Sequence, residues 1–410
     1  MNATLDFLDP NTLVDGAPYE AYRMLRAEAP VTRLHTPVGG HDYWLVTRHA
    51  DIQEILVNPA DFSSALGGTA TRPLSEFELS VARQMVNVMD PPNHTRHRKL
   101  VTRPFATKAL EPLKPRVRAL TATMIDKLTG RDECDAVGEL AAELPMQVIL
   151  EVLGVPDVDR GRLFEISNAL MHVDDPEMGG SLEAVQMGVM ELIGYFMKLA
   201  QEKRQRPQDD VMTLLAQSEV DGERLTDEEL GMFFVPLLIA GNETTRSLIA
   251  SGIEIIASRP DLYRQLRADR SLLPGAIEEM LRYVTPICHL RRTASRDFEF
   301  RGQRMHHGDM VVLALASANR DESVFENPNE FDIHRKPNPH ISFGYGPHLC
   351  FGAALTRIEA NIFFELFLDR FAEVRPAAPS KRIRSNFMNS LKSLPIRLMP
   401  DLEPRITFVN

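Results

Sequence analysis

Residues 343–352 read Phe-Gly-Tyr-Gly-Pro-His-Leu-Cys-Phe-Gly, and Cys350 is the residue around which this stretch is organised. Gly344 and Gly346 precede the cysteine, while Gly352 and a helix-forming run follow it, so the stretch predicts a tight loop that opens into a helix. Unpaired backbone N–H groups and the helix dipole favour the thiolate over the thiol at such a position. The pattern therefore indicates a metal ligand or a nucleophile.

Other interpretations of this stretch fit less well. A lone cysteine in a turn is more often a buried structural residue, but the glycines and the following helix argue against that here. No second cysteine or histidine lies at zinc-finger spacing, and Leu349 stands where a dinucleotide-binding turn requires glycine. The Phe-Gly-x-Gly-x-His-x-Cys-x-Gly pattern resembles the haem-binding loop of the cytochrome P-450 superfamily, whose iron has a cysteine thiolate ligand. The resemblance implies that Cys350 ligates haem b and that Phe343, Gly344 and Gly352 lie against the cofactor.

Composition narrows the class of protein. The 410-residue chain is 44% hydrophobic and 25% charged, which is ordinary for a soluble globular protein with a large core. Its net charge of -11 argues against general binding to nucleic acid or anionic membranes. The first residues contain no apolar segment, and the apolar run 233–240 is shorter than the roughly 20 residues of a spanning helix. We therefore expect a cytoplasmic protein without a membrane anchor, in which Cys134 and Cys288 are structural thiols.

Short elements are predicted to alternate near the N-terminus. Residues 19–29 and 49–57 have helical patterns, and residues 31–34 and 43–46 are predicted to pair as strands across a Gly-Gly turn. Residues 63–90 lack a regular pattern and are expected to border a binding cavity.

Residues 120–205 have an almost continuous helical pattern, with interruptions at residues 154–156 and 174–180. A methionine stripe follows the helices on either side of the second interruption. Such a stripe is more often part of a core, but unbranched side chains also suit an adaptable roof over a cavity. The resemblance places the movable roof of the substrate cavity here. The methionines concerned are Met171, Met187, Met190 and Met197.

The stretch Asp-Pro-Pro-Asn-His-Thr-Arg-His-Arg at residues 90–98 predicts the start of a helix. His94 and Arg98 are four residues apart and would face the same side, where their donors could hold a carboxylate. Such a pair alone is usually a solvated face, but this frame resembles the family helix that binds a haem propionate. The resemblance adds Arg292 and His348 as further propionate contacts, giving four donors for two carboxylates.

Between residues 96 and 118 the sequence has eight basic residues and only one acidic residue, Glu111. A solvated helical face would explain this excess. A docking surface for an acidic electron donor would also explain it, since opposed charges speed encounter. The resemblance places this surface on the cysteine side of the haem. The basic residues are Arg96, Arg98, Lys99, Arg103, Lys108, Lys114, Arg116 and Arg118.

A capping box at residues 226–229, Thr-Asp-Glu-Glu, predicts a helix that continues to about Ser258. Such a helix is about 50 Å long and could cross the whole molecule. Pro236 lacks an N–H and is predicted to bend it.

The middle of this helix reads Ala-Gly-Asn-Glu-Thr-Thr over residues 240–245. Gly241 permits close approach to the backbone, and Thr244 can donate back to a carbonyl and widen the turn. A threonine-rich surface turn fits poorly because the flanking segments are apolar. The Ala-Gly-x-Glu-Thr pattern resembles the acid and alcohol pair of the family. It implies that Ala240 and Gly241 lie beside the haem and that Glu243 and Thr244 deliver protons during oxygen activation.

Glu279 and Arg282 are one helical turn apart in a predicted helix, and Arg335 follows in the segment that leads to the cysteine loop. Together they resemble the buried Glu-Arg-Arg network of the family, whose role is structural. A hairpin is predicted from residues 298–300 and 310–315 with its turn near Gly302. Residues 385–395 resemble the last hairpin of the family, whose tip can enter the substrate cavity.

We interpret residues 1–410 as a single domain, mainly α with a smaller β region, with the cytochrome P-450 fold and a long central helix over the haem. The expected activity is haem-dependent insertion of one oxygen atom from dioxygen into an apolar terpenoid, steroid, fatty-acyl or aromatic substrate. No flavin or nicotinamide fingerprint is present, so the family resemblance implies an iron-sulfur ferredoxin and its NAD(P)H-dependent reductase as electron donors.

Two alternative functions remain. One is a peroxide-dependent haem-thiolate peroxygenase, which would need no proton relay and is disfavoured by Glu243 and Thr244. The other is a non-enzymatic haem gas sensor. The substrate cavity is expected to be lined from residues 63–88, 166–191, 237–240, 287–290 and 387–391, which are mostly apolar or small where they face inward.

Overall fold

The structure is a computed structural model that describes residues 5–102, 104–171, 175, 177, 182–220 and 222–400. Helices dominate it, and short 3-10 turns join several of them. The α-helices are α1 (Tyr19–Glu28), α2 (His49–Leu56), α3 (Glu76–Ala82), α4 (Asn93–Thr102), α5 (Thr107–Leu110), α6 (Lys114–Asp126), α7 (Glu143–Val152), α8 (Asp157–Met171), α9 (Leu182–Gln205), α10 (Val211–Gln217), α11 (Asp227–Ala257), α12 (Pro260–Ala268), α13 (Leu273–Val284), α14 (Leu315–Ala318) and α15 (Ala353–Arg370).

The strands are short and form a smaller β region. They are β1 (Val31–Thr36), β2 (His41–Val46), β3 (Phe62–Ser63), β4 (Glu133–Asp135), β5 (Glu219–Val220), β6 (Glu223–Arg224), β7 (His289–Ala294), β8 (Phe298–Phe300), β9 (Gln303–Met305), β10 (Met310–Ala314), β11 (Phe371–Pro376), β12 (Lys381–Arg382), β13 (Leu391–Ser393) and β14 (Pro395–Pro400).

Helix α11 is the central element, as its capping box predicts. The Thr226 hydroxyl accepts from the backbone N–H of Glu229, and the Glu229 carboxylate accepts from the backbone N–H of Thr226. The helix continues through Pro236 to Ala257 without interruption. It packs against α7, α8, α9, α13 and α15. Its apolar side chains therefore form the middle of the larger hydrophobic core.

The main sheet has the strand order β1-β2-β10-β7-β3. The pairing of β1 with β2 agrees with the prediction, with Val31 opposite Val46. The predicted partner of residues 310–315 was wrong. Strand β10 pairs with β2 and β7, whereas β8 pairs with β9 across the turn at Gly302. The short polar β9 provides little hydrophobic pattern, so the sequence did not reveal it.

A short helix was missed in the segment that we predicted to be irregular. Helix α3 begins at a capping box in which Ser75 and Glu78 exchange side-chain and backbone hydrogen bonds. This Ser-x-x-Glu signal is visible in the sequence and could have revealed the helix. Among the described helices, none combines the length and apolarity needed to cross a bilayer.

Candidate functional site

The loop before α15 has the tight geometry that its glycines predict. Gly344 and Gly346 have φ values of +74° and +69°, which favour glycine. A Cβ at Gly346 would also lie 2.8 Å from Cγ1 of Val57, so a side chain would collide there. The backbone N–H of Cys350 donates to the carbonyl of Phe343 at 2.9 Å and closes the loop.

Cys350 is accessible to solvent, yet protein atoms surround it closely enough that burial raises the pKa of its thiol. Backbone N–H groups of Gly352 and Ala353 and the positive charges of Arg98 and Arg357 lower that pKa. The donors expected at the start of a helix are therefore present. Burial is the larger of these influences, so the pKa of the thiol in the protein alone lies above its usual value.

Arg357 supports the cysteine loop and was not singled out in the sequence. It lies on the helix that follows Cys350, and its guanidinium is 4.6 Å from the centre of the Phe343 ring. Two of its nitrogens donate to Glu278 at 2.6 and 2.8 Å. A basic residue about one turn into the helix after Cys350 is the only signal for it in the sequence.

His94, Arg98, Arg292 and His348 form one cationic cluster beside Cys350. The rings of His94 and His348 are 3.9 Å apart, and the guanidinium of Arg98 lies 5.4 Å from the centre of the Phe351 ring.

The electrostatics of this cluster favour an anionic partner. Burial, together with Arg292, His94 and Arg98, lowers the pKa of His348 to about 3. Burial lowers the pKa of Arg292 to about 10. Neither arginine forms an ion pair with a described residue, and Nε2 of His348 has no hydrogen-bond partner among them. Because unpaired buried cations are costly, these groups suit a ligand that carries carboxylates.

Helix α11 is largely buried, but Ala240, Gly241 and Thr244 form an accessible stripe in its middle. Ala240 is exposed, Gly241 and Thr244 are half-buried, and the turns on either side are largely buried. The Thr244 hydroxyl donates to the carbonyl of Ala240 at 2.8 Å, the back-bond predicted from the sequence. A Cβ on Gly241 would lie 3.3 Å from Ile149, so the glycine allows α7 to approach closely.

Glu243 and Thr244 lie in different environments on α11. The Glu243 carboxylate is fully buried, and it accepts from Arg246 at 3.2 Å and from the Ser390 hydroxyl at 2.9 Å. Adjacent helical positions point about 100° apart. Thr244 therefore lies on the accessible stripe of α11, whereas Glu243 points away from it. Ser390, in the last hairpin, was not predicted as a partner.

Glu279, Arg282 and Arg335 form a buried ion-pair network of the kind the sequence predicts. Arg282 donates to Glu279 at 2.6 and 2.8 Å and to three backbone carbonyls, and Arg335 reaches Glu279 at 3.2 Å. Glu279 also accepts from the backbone N–H of Asp332. The network therefore fixes the segment that precedes the cysteine loop.

The surface formed by the basic segment, residues 96–118, carries less uncompensated positive charge than the composition of the segment suggests. Four of its residues form ion pairs with Glu229, Glu111, Glu151 and Glu365. Arg103 lies outside the described residues. Lys108 is exposed on α5, which packs against α15. The residues with carboxylate partners are Arg96, Lys114, Arg116 and Arg118.

The segments predicted to line a substrate cavity are only partly described. Residues 172–174, 176 and 178–181, and the side chain of Met171, lie outside the described part. Met187 and Met190 are exposed on α9. The hairpin formed by β12 and β13 reaches the main β region, where Met388 pairs with Ile287 in a β-bridge.

Comparison with known proteins identifies the family. A family model described as Cytochrome P-450 matches residues 142–398, which is more than half of the chain. The chain belongs to this family. This cytochrome P-450 is 36% identical to a steroid C26-monooxygenase of Mycolicibacterium smegmatis over 94% of this chain and 92% of the relative.

Solved structures have the same fold. CYP108D1 from Novosphingobium aromaticivorans has a TM-score of 0.87 and 32% identity, covering 96% of this chain and 97% of that one. CYP109E1 from Bacillus megaterium in complex with testosterone has a TM-score of 0.80 and 34% identity, covering 93% and 99%. The expected fold class is confirmed, and the protein is a cytochrome P-450 monooxygenase.

Haem b is the cofactor of the family, and the residues present fit it. The thiol of Cys350 is accessible, and the cationic cluster beside it lacks carboxylate partners among the described residues. Nε2 of His348, which has no hydrogen-bond partner among the described residues, provides a further buried polar atom for a propionate.

Proposed function

We propose that this cytochrome P-450 inserts one oxygen atom from dioxygen into a C–H or C=C bond of a steroid-class substrate. The observation that carries the monooxygenase chemistry is the accessible thiol of Cys350 beside a cationic cluster without carboxylate partners among the described residues. The substrate class is supported by the relatives named steroid C26-monooxygenase, at 36% and 37% identity, and by the likeness to the testosterone complex.

Haem b with a thiolate ligand supplies the oxygen-activating chemistry, since the thiolate donates electron density that favours O–O cleavage. Cys350 would hold the iron. His94, Arg98, Arg292 and His348 would hold the two propionates through charge-assisted hydrogen bonds.

Thr244 would hold a proton at its hydroxyl on the accessible stripe of α11. Its back-bond to Ala240 orients that hydroxyl. Glu243 is too buried to line the stripe directly, so we propose that it acts through its contacts with Arg246 and Ser390. Phe343, held under Arg357, would limit the access of water to the sulfur.

Electrons would come from an iron-sulfur ferredoxin and its NAD(P)H-dependent reductase. The exposed face beside the cysteine loop supports this proposal. Tyr345 and Leu349 are exposed apolar side chains there, and Lys108 lies on a neighbouring helix. Exposed apolar side chains with a basic residue on the neighbouring helix suit transient contact with an acidic partner.

The function is tested with purified holoenzyme, a ferredoxin, its reductase and NAD(P)H. Testosterone and cholest-4-en-3-one are compared with a terpenoid ketone and a long-chain fatty acid of similar size. We expect a low-to-high spin shift and hydroxylated product with the steroids. Product from hydrogen peroxide alone would instead indicate a peroxygenase, and product only from the fatty acid or the terpenoid would refute the steroid assignment.

The ligand assignment is tested separately by Cys350→Ser. We expect the variant to lose the red-shifted Soret band of the ferrous carbon monoxide complex, whereas the buried control Cys134→Ser keeps it. An unchanged band in Cys350→Ser would refute the assignment.

A further inference from the structure

A cavity of about 430 Å³ lies between α1, the C-terminal half of α11, the end of α13 and the last hairpin. Its described lining shares no residue with the site around Cys350. Ser251 lies in its wall, two turns beyond Thr244 and about 10 Å further along the helix axis. The cavity is therefore separate from the oxidation site but shares a helix with it.

Two polar groups in the cavity wall have unused hydrogen-bonding capacity. Ser251 is 3% exposed, and its hydroxyl has no hydrogen-bond partner among the described residues. Arg320 is also 3% exposed, and its Nε has no such partner. Because a buried donor without a hydrogen-bond partner is destabilising, a ligand that accepts from both groups would be favoured.

The remaining contacts of Arg320 hold its guanidinium rigidly. Its terminal nitrogens donate to the carbonyls of Pro328 and Tyr283, each at 3.0 Å. The guanidinium lies 3.7 Å from the centre of the Tyr283 ring and 4.5 Å from that of Tyr19. The guanidinium thus contacts two rings and neutral carbonyls, and none of these groups neutralises its positive charge.

The charged side chains in the cavity wall indicate the charge that a ligand should carry. Arg23 pairs with Glu20 at 2.6 Å, and Arg382 lies 3.6 Å from Glu254. Arg320 forms no ion pair with a described residue. The lining therefore has one uncompensated positive charge, which suits a monoanion rather than a dianion such as phosphate.

The rest of the wall is largely apolar. Ile255, Val284 and Ala17 line it together with the two tyrosine rings. Its volume lies within the range of pockets that bind small organic ligands. We propose that this cavity is a second binding site, for a small organic monocarboxylate with an apolar body. Its carboxylate accepts from Nε of Arg320 and from the Ser251 hydroxyl, and its apolar body lies against the tyrosine rings and Ile255.

The test uses the holoenzyme saturated with imidazole, which occupies the haem iron. Octanoate labelled with ¹³C at the carboxyl group is titrated by NMR, and octan-1-ol is the matched neutral probe. We expect one octanoate per protein, bound at least tenfold more tightly than octanol, with no change in the Soret band. Binding of octanoate no tighter than octanol, or a Soret change that tracks octanoate binding, would overturn the proposal.

Variants separate the site from general charge effects. Ser251→Val removes a donor and fills space, and Arg320→Met removes the charge; each should weaken octanoate binding at least tenfold. Arg264→Met is the control, because Arg264 is exposed and pairs with Asp261 away from the cavity. If Arg320→Met does not fold, Ser251→Val alone decides, and unchanged octanoate affinity in Ser251→Val refutes the site.

Discussion

The imidazole ring of His94 lies 3.9 Å from that of His348, centre to centre, with the two planes tilted by 30°. One ring comes from α4 and the other from the cysteine loop, so their contact joins the two segments that would hold the propionates. Burial lowers the pKa of both rings, which keeps them neutral near pH 7. Each neutral ring still has one N–H to donate to a carboxylate.

His94→Phe tests this contact, because it keeps a ring against His348 but removes the donor. Losing one hydrogen bond of about 1 kcal/mol should speed haem loss roughly fivefold, measured as transfer to apomyoglobin. His97→Phe is the matched control, since His97 is buried on the same helix but bonds to the carbonyl of Asn93. Equal transfer rates in the two variants would contradict a propionate role for His94.

Thr244→Ala should leave reduction of the enzyme intact but divert oxygen to peroxide. Loss of the hydroxyl removes a proton donor, so product per electron should fall roughly tenfold. Peroxide, product and NAD(P)H consumption are measured together. Thr244→Ser should restore most of the coupling, and Thr245→Val is a control because Thr245 is buried. Undiminished coupling in Thr244→Ala would remove the proposed role.

Lys108→Glu tests docking of the electron donor. Reversing an exposed charge beside the cysteine loop should slow reduction by the ferredoxin roughly threefold to tenfold at low ionic strength. The difference should shrink in high salt because exposed charges are screened. Lys198→Glu is the control, since Lys198 is exposed on α9. Stopped-flow rates that are the same for both variants would place the docking surface elsewhere.

Glu279→Gln should destabilise the protein by about 3–5 kcal/mol, because it leaves Arg282 and Arg335 as buried charges without their carboxylate. Urea unfolding measures the change. Glu20→Gln, which breaks an exposed pair with Arg23, should have only a small effect. Similar losses in the two variants would show that the buried network contributes no more than a surface ion pair.

The buried imidazole of His289 leads us to predict that the free energy of unfolding falls in acid. It bonds to the Tyr22 hydroxyl at 2.7 Å and to the carbonyl of Asn386 at 2.6 Å, and burial lowers its pKa from 6.5 to about 4. A depressed histidine pKa means that the unfolded chain binds the proton first, so stability is lost as pH falls from 6.5 towards 4.

At pH 5 this histidine should account for about 2 kcal/mol of lost stability relative to neutral pH. His289→Gln should therefore lose less stability than the wild type between pH 7 and pH 5 in urea unfolding. The exposed His35→Gln should follow the wild type. A parallel pH dependence for His289→Gln and the wild type would show that His289 is not the group that titrates.

Much of the site follows from local sequence, because its signals act over a few residues. The capping box at Thr226 and Glu229 starts α11, and glycines with positive φ shape the cysteine loop. The back-bond of Thr244 to Ala240 spans a single turn. Hydrogen bonds between positions three or four residues apart depend on little else, so these features could be predicted.

Other features required the tertiary structure, because they depend on residues far apart in the chain or on which face is buried. Nothing local shows that β10 lies between β2 and β7, or that Arg98 stacks on Phe351. Helical spacing separates Glu243 from Thr244 by about 100°, but only packing against the last hairpin buries one and leaves the other accessible. The sequence by itself determined the cysteine loop, the long helix and hence the cofactor class. The tertiary structure decided which cations lack a carboxylate partner within the described part of the chain, because charge compensation depends on side chains from separate helices and strands.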